Sequence, residues 1–186
     1  MYEADEKANE QIQNAKMMVI DSIAETMDLY GVTRSVGVLY GTMYFEDEMT
    51  LDEMLEELGM SKPSMSTGVK KLQEYNIVKK TFQRGSRKHS FVAEKDFFRF
   101  FNNFFSLKWE REVTINLEAI NRAQKELNEV LVDQDIKEEI RDEAEQIYDQ
   151  LEMSKSYYYW LRNLVEGMNS GKLFEAFPQE EGNKKY

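Results

Sequence analysis

Apolar residues recur every three or four positions over residues 9–30 and again over residues 33–45. This spacing is typical of amphipathic helices and predicts two of them. Gly31 ends the first helix. On the second helix Gly37 and Gly41 lie one turn apart, which predicts a place where another backbone approaches closely.

Capping residues mark the ends of two shorter helices that follow. Thr50 and Glu53 have the spacing of a capping box, and Gly59 ends that helix. Ser61 is the predicted cap of the next helix, with Pro63 in its first turn, where proline is tolerated. A step of about 100° per residue turns Met65, Val69 and Leu72 of this fourth helix inward. Its outward side then carries Pro63, Ser66, Thr67, Lys70 and Lys71.

Short β-prone stretches at residues 77–82 and 90–92 flank the basic segment 83–89, which predicts a hairpin with a cationic tip. Two long helices are expected beyond it, from about residue 93 to 132 and from 135 to 168. Helix, tight turn, helix and basic hairpin, in that order, form the layout of a winged helix-turn-helix. The predicted fold is therefore mainly α, a winged helix-turn-helix with a short β-hairpin wing and long flanking N- and C-terminal helices.

Charge is distributed unevenly along the chain. The 186 residues carry a net charge of -11, but residues 61–90 hold eight Lys and Arg against Glu74 alone, a local charge of +7. The other 156 residues therefore total -18. Because a polyanion responds to the local patch, the average does not exclude nucleic acid as a partner.

Composition excludes several classes of site. There are no cysteines and one histidine, His89, so disulfides, thiolate zinc sites, cysteine nucleophiles and imidazole metal sites are not expected. No phosphate-binding glycine loop and no hydrolase or metalloprotease motif is present, so we expect neither an enzyme nor a cofactor. The N-terminus lacks the pattern of a signal peptide, and no apolar run approaches about 18 residues. A cytoplasmic protein without a membrane partner is the expectation.

The basic helix and hairpin predict an interface with double-stranded operator DNA. A helix fits the major groove, where small polar and cationic side chains reach bases and phosphates, and a cationic hairpin can meet phosphates or a narrow minor groove. The alternative is a merely solvated cationic surface. The candidate contacts are Lys62, Pro63, Ser64, Ser66, Thr67, Lys70, Lys71, Arg84, Arg87 and Lys88. Paired half-sites are usually read by a two-fold dimer, and the long flanking helices have surplus apolar surface for a homodimer interface.

Two aromatic clusters stand out, at residues 96–109 and 157–160. On a helical wheel Phe97, Phe101, Phe104 and Phe105 share a face, with Phe100 off the other side. In the later helix Tyr157 joins the main apolar face and Tyr159 points away from it. Aromatic rings can enclose a quaternary ammonium, since their faces attract a cation that donates no hydrogen bond. A protein core or a dimer interface explains the same residues, and spacing alone favours it.

Residues 50–72, followed by the hairpin at 84–88, resemble the MarR-type winged-helix repressors. More closely, residues 43–45, the Ser-Lys-Pro-Ser-Met-Ser segment at 61–66 and the Phe-rich helix resemble the choline-responsive GbsR/OpcR regulators of glycine betaine genes. The likeness covers about residues 8 to 175. It implies a homodimer that represses genes for choline and glycine betaine uptake or synthesis, with choline relieving repression in the GbsR type. It also supports DNA contacts from Ser64, Ser66, Thr67, Lys70, Arg84 and Arg87.

Helical geometry, and no strict motif, supplies the candidates for a choline cage: Tyr40, Tyr44, Phe98, Trp109, Tyr159 and Trp160. The predicted domains are an N-terminal dimerisation helix at 1–32, a DNA-binding domain at 33–93, a dimerisation and ligand-sensing region at 94–177 and a flexible tail at 178–186. Two alternatives stay open. One is a winged-helix repressor that responds to a different small molecule, and the other is a helical adaptor that does not bind DNA.

Overall fold

The computed structural model describes residues 2–82 and 89–179, with side chains from Ala4 onward. It contains long helices and one small antiparallel sheet. The elements are α1 Tyr2–Leu29, α2 Arg34–Phe45, β1 Met49–Thr50, α3 Leu51–Leu58, α4 Lys62–Glu74, β2 Val78–Phe82, β3 His89–Ala93, α5 Phe97–Val132, α6 Glu138–Asn169 and α7 Lys172–Ala176. The predicted mainly α, winged helix-turn-helix architecture is confirmed. The two-residue strand β1 and the short helix α7 were not predicted.

The chain forms two compact units, Met1–Phe104 and Phe105–Tyr186. The first unit contains α1 to α4, the sheet and the first two turns of α5. Its core is made of apolar side chains drawn from all of these helices: Ala24, Met27, Leu39, Tyr40, Met43, Met54, Met65, Val69, Leu72 and Phe104. Each helix therefore buries one stripe against the others.

Close packing of α1 on α2 depends on the two glycines of α2. A Cβ atom placed on Gly37 would lie 2.7 Å from the Cα of Ala24, and one on Gly41 would lie 3.1 Å from the Cα of Ile20. The predicted close approach of a second backbone is thus confirmed, and α1 is the helix that approaches.

The caps at the helix-turn-helix form as predicted. The Thr50 side chain accepts a hydrogen bond from the Glu53 N–H, and the Glu53 carboxylate accepts one from the Thr50 N–H. Gly59 ends α3 with φ of 61°, in the left-handed region that suits glycine. Ser61 caps α4, so both ends of α3 and the start of α4 lie where the sequence indicates.

The sheet has the strand order β1-β3-β2, with antiparallel pairing throughout. The register between β2 and β3 runs from Val78 opposite Ala93 to Phe82 opposite His89. Two residues of β1 pair with the other edge of β3. The strands of the predicted wing, which is the hairpin formed by β2 and β3, are therefore confirmed, and β3 lies between β2 and this third strand.

In the second unit, α5 and α6 bury Val113, Leu117 and Leu161 against each other, with Trp109, Tyr158 and Leu164 packed around them. Tyr158 thus contacts the core, whereas Tyr157, which the periodicity placed on the main apolar face, is exposed. That expectation was wrong: Tyr157 lies at the surface, where its hydroxyl donates to Glu112 Oε1 at 3.4 Å. A buried amide, Gln124, donates hydrogen bonds to Glu152 Oε2 at 2.9 Å and to the Tyr148 carbonyl at 3.3 Å.

Candidate DNA interface and aromatic clusters

The outward face of α4 is small, polar and cationic, as predicted. Its exposed residues are Lys62, Pro63, Ser64, Ser66, Thr67 and Lys70. At the N-terminus the Ser64 N–H donates to Ser61 Oγ at 3.4 Å, and the two hydroxyl oxygens lie 2.9 Å apart. Because the first N–H groups of a helix favour anions, this end of α4 suits a phosphate oxygen as well as a base edge.

The opposite face of α4 fixes the helix in the first unit. Met65, Val69 and Leu72 are buried, which confirms the predicted inner face. Gly68 is buried as well, and a Cβ atom there would lie 3.0 Å from Leu39 Cδ2. The outward side chains are therefore carried on a helix that packs closely on α2.

The cations of α4 differ in their surroundings. Lys71 Nζ lies 3.3 Å from Glu74 Oε2 and 5.0 Å from the centre of the Tyr75 ring, so part of its charge is compensated within the protein. Lys62 and Lys70 form no salt bridge with any residue in the described part of the chain. These two lysines therefore present the less compensated charge.

The wing contributes a second cationic surface. Lys79 and Lys80 are exposed on β2, an edge strand of the sheet. The predicted contacts Arg84, Arg87 and Lys88 lie outside the described residues. Lys79 and Lys80 contribute to the charge of +7 over residues 61–90 but are absent from the predicted DNA contacts. The alternation of side chains along a strand already indicates that at least one of them faces solvent.

Two of the candidate ligand residues of the first unit, Tyr40 and Tyr44, belong to one aromatic cluster. Tyr44 stacks on Phe97 with ring centres 5.2 Å apart and meets Phe45 edge-on at the same distance. Phe98 is exposed at the start of α5, where its N–H donates to Asp96 Oδ1 at 2.8 Å. Tyr44 is half-buried, so one stacked pair of rings lies at the surface of this unit.

Tyr40 lies deeper in the same cluster. Its side chain is fully buried, its ring centre is 5.1 Å from that of Phe100, and its hydroxyl donates to the Glu94 carbonyl at 2.5 Å. Burial, followed by the nearby Glu94 carboxylate, raises the pKa of the Tyr40 hydroxyl far above its usual value. Tyr40 is thus a neutral hydrogen-bond donor within the core.

Phe100 corrects the helical-wheel assignment of α5. It is buried and stacks on Phe104 with ring centres 5.5 Å apart, whereas Phe97 is 50% exposed. The wheel placed Phe97 with Phe104 and set Phe100 aside. That expectation was wrong because this helix has aromatic residues on most of its circumference, and the docking of Tyr40 and Phe104 decides which ring is covered.

The candidates of the second unit lie on α5 and α6. Trp109 packs on the unit's core and on Phe105, whose ring centre is 5.3 Å away. Trp160 is 58% exposed and stacks on Tyr157 at 6.2 Å, while Tyr159 is 47% exposed with the Arg162 guanidinium 5.7 Å from its ring centre. The Arg162 contact shows that the Tyr159 ring already accepts a cation.

Known proteins resemble this chain over most of its length. A family model described as the C-terminal helical hairpin of GbsR family transcriptional regulators matches residues 97–175. The HTH-type transcriptional repressor GbsR of Bacillus subtilis (strain 168) is 66% identical over 169 residues, which cover 91% of this chain and 94% of that protein. The chain belongs to the GbsR family of transcriptional repressors.

A second relative agrees with this membership, and a solved structure shares the fold. The HTH-type transcriptional repressor OpcR of Bacillus subtilis (strain 168) is 31% identical over 90% of this chain and 91% of its own length. A crystal structure of a transcriptional regulator covers 86% of this chain and 99% of that one, at a TM-score of 0.57 and 17% identity, which shows the shared fold. The GbsR-family chain is thus a DNA-binding transcriptional repressor and not an enzyme.

Other kinds of site find no support in the described part of this GbsR-family chain. No group of three or more His, Asp or Glu side chains there could hold a metal ion. Within the same residues, no helix has the length and apolar character needed to cross a bilayer. The surfaces that require a functional explanation are therefore the outward face of α4, the wing and the exposed aromatic rings.

Proposed function

We propose that this GbsR-family repressor acts as a homodimer on double-stranded operator DNA and leaves the DNA when choline or a related quaternary ammonium binds its aromatic side chains. The genes it controls are those for choline and glycine betaine uptake or synthesis. The observation that carries the DNA part is the exposed, polar and cationic face of α4 in a winged helix-turn-helix.

In this proposal α4 lies in the major groove. Ser64, Ser66 and Thr67 approach base edges, and Lys62 and Lys70 contact the flanking phosphates. Lys71, paired with Glu74, and Pro63 border the same contact. Arg84, Arg87 and Lys88 of the wing meet a neighbouring groove or its phosphates.

The ligand part rests on aromatic rings that are only partly covered. Tyr44 stacked on Phe97, and Trp160 stacked on Tyr157, offer ring faces to a cation. Such a contact is worth about 2 kcal/mol when desolvated. Phe98, Trp109 and Tyr159 complete the candidate set, and the buried Tyr40 orients the first cluster through its hydrogen bond to the Glu94 carbonyl.

The homodimer is supported by apolar side chains that each unit leaves exposed. On α1 these include Met17 and Met18, and on α5 and α6 they include Ile115, Ile147 and Met153. Scattered exposed apolar residues are ordinary, but a series along long helices is typical of an oligomer interface. A two-fold dimer would present two copies of α4 to two half-sites.

A population shift connects the ligand to the DNA. A quaternary ammonium that binds better to one spacing of the two α4 helices shifts the dimer toward that spacing. If that spacing differs from the separation of the half-sites, the affinity for the operator falls. The largest possible decrease equals the ratio of the ligand's affinities for the two spacings.

The test combines DNA binding and ligand binding. Purified protein is titrated onto labelled DNA from upstream of its own gene, with choline, glycine betaine or 3,3-dimethylbutanol, a neutral isostere of choline. Choline should weaken operator binding and change the fluorescence of Trp109 and Trp160, which are the two tryptophans of the chain, whereas the isostere should do neither. Calorimetry should show weaker choline binding for Tyr44→Ala and Trp160→Ala, with Trp160→Phe as the ring-preserving control.

Each alternative gives a different result. If no quaternary amine changes DNA affinity or fluorescence, the ligand is a different small molecule and the DNA assignment stands. If the protein shows no preferred DNA site and no salt-dependent affinity, it acts as a helical adaptor instead.

A further inference from the structure

The apolar face of the wing continues beyond the part of the sheet that the core covers. Side chains alternate along a strand, so Val78, Lys80 and Phe82 of β2 share one face with their partners on β3, Ala93, Phe91 and His89. At the base of the wing this face is buried, at Val78, Phe91 and Ala93. At the far end of the described strands it carries Phe82.

Phe82 is 74% exposed although its ring has two defined neighbours. The ring meets His89 across the strand pair edge-on, with ring centres 5.3 Å apart, and Lys80 Nζ lies 5.7 Å from the ring centre. These contacts hold the ring against one side of the wing and leave most of its surface open. A held, exposed aromatic ring is typical of a contact surface more than of a core.

The charge around Phe82 indicates which partner covers it. Residues 75–93 contain five Lys and Arg and no Asp or Glu. Lys80 lies on the same face of β2 as the ring, and Lys79 is exposed on the opposite face of the strand. The partner that matches an exposed ring beside Lys80, in a segment without acidic residues, is a polyanion with apolar surface between its charges. The sugar-phosphate backbone of double-stranded DNA has this character, with deoxyribose rings between phosphates.

We propose that Phe82, supported by His89, packs on deoxyribose rings of the bound DNA while the neighbouring lysines contact phosphates. This inference rests on the proposed function of α4 and the wing. Sugars carry no base sequence, so the contact strengthens binding to any duplex by the same factor and positions the wing beside its groove.

The variant Phe82→Ala should weaken DNA binding about tenfold for each wing that contacts the DNA. This is the change in affinity expected when on the order of 60 Å² of ring surface is no longer buried. The loss should be equal for the operator and for an unrelated duplex. The slope of log affinity against log salt should stay unchanged, because no phosphate contact is removed. Phe82→Tyr, which keeps the ring, should restore the affinity of the wild-type protein.

Two controls accompany the variant. Phe177→Ala removes a ring that is 73% exposed in the second unit, and it should leave DNA binding unchanged. Lys70→Ala removes a proposed phosphate contact and should lower both the affinity and the salt slope. Circular dichroism and thermal unfolding should show that Phe82→Ala folds like the wild-type protein, since an exposed ring contributes little to stability.

Several results would overturn the inference. Unchanged affinity for Phe82→Ala, together with the expected loss for Lys70→Ala, would refute the Phe82 contact and leave the proposed function intact. A loss confined to the operator would indicate base contact instead of sugar contact, and a lower salt slope would mean that displaced lysines caused the loss. A changed mass in sedimentation would mean that a second copy covers the ring. If wild-type protein binds no DNA, the proposed function itself fails.

Discussion

Replacing Gly37 by alanine should destabilise the first unit, although alanine is the better helix former. The added methyl group would lie 2.7 Å from the Cα of Ala24, 3.1 Å from its carbonyl oxygen and 3.2 Å from its Cβ. The two nearest of these atoms belong to the backbone of α1, so a change of side-chain rotamer cannot relieve the clash. The helices α1 and α2 must move apart.

The size of the effect follows from that movement. Carbon atoms pack at about 3.5–4.0 Å, so the backbones must separate by roughly 0.8 Å or more. A gap of that size removes about a quarter to a half of the dispersion energy of each atom pair along the interface. Overpacking of this kind costs about 1–3 kcal/mol, against a gain of about 1 kcal/mol in helix propensity. We expect a net loss of up to about 2 kcal/mol in the free energy of unfolding.

Urea unfolding followed by circular dichroism at 222 nm, at one protein concentration, measures the change. Gly167→Ala on α6 is the matched control, because a Cβ atom there has no neighbour within 4 Å. Without a clash only the propensity gain remains, so this variant should be about 0.5–1 kcal/mol more stable than the wild-type protein. If Gly37→Ala is as stable as Gly167→Ala, the close packing of α1 on α2 does not hold and the reasoning is refuted.

Three further predictions concern a cap, a charge and a buried hydroxyl. Thr50→Ala removes the capping box of α3 and should lower the free energy of unfolding in urea by about 1 kcal/mol. Thr114→Ala, inside α5, should not lower it. Lys70→Ala should reduce the salt slope of operator binding by about 0.9 for each phosphate that the lysine neutralises, and Lys125→Ala on α5 should leave it unchanged; equal slopes would exclude a phosphate contact. Tyr40→Phe removes the hydroxyl that donates to the Glu94 carbonyl and should lower the free energy of unfolding by about 1–2 kcal/mol. An unchanged midpoint of unfolding would contradict a stabilising role for this hydrogen bond.

Local chemistry determines the part of the fold that the sequence predicts well. Thr50, Gly59 and Ser61 each act on an atom no more than four residues away. Both ends of α3 and the start of α4 therefore follow from short motifs. The inner face of α4 follows from one periodic stripe in a helix with a polar opposite side. For the same reason the exposed face of α4 can be identified from the order of its residues alone.

Features that depend on distant parts of the chain were missed. The strand β1 has two residues and exists because Met49 and Thr50 pair with β3, some 40 positions later in the chain. The burial of Phe100 depends on Tyr40 and Phe104, and periodicity is uninformative in a helix with rings on most sides. Such outcomes require tertiary packing.

The first unit is itself electrically polarised, which reconciles an acidic chain with DNA binding. A groove of about 320 Å³ beside β1 and α3 is lined by Met49 and by five glutamates: Glu46, Glu48, Glu53, Glu56 and Glu57. The exposed face of α4 has lysines and no Asp or Glu until Glu74. At physiological salt charges are screened beyond about 8 Å, so a phosphate near α4 responds to those lysines more than to the net charge of -11. A duplex that approaches the glutamate groove is repelled over the same short range. The acidic surface is therefore compatible with the DNA contact that we propose for α4 and the wing, and it disfavours a duplex at the glutamate groove.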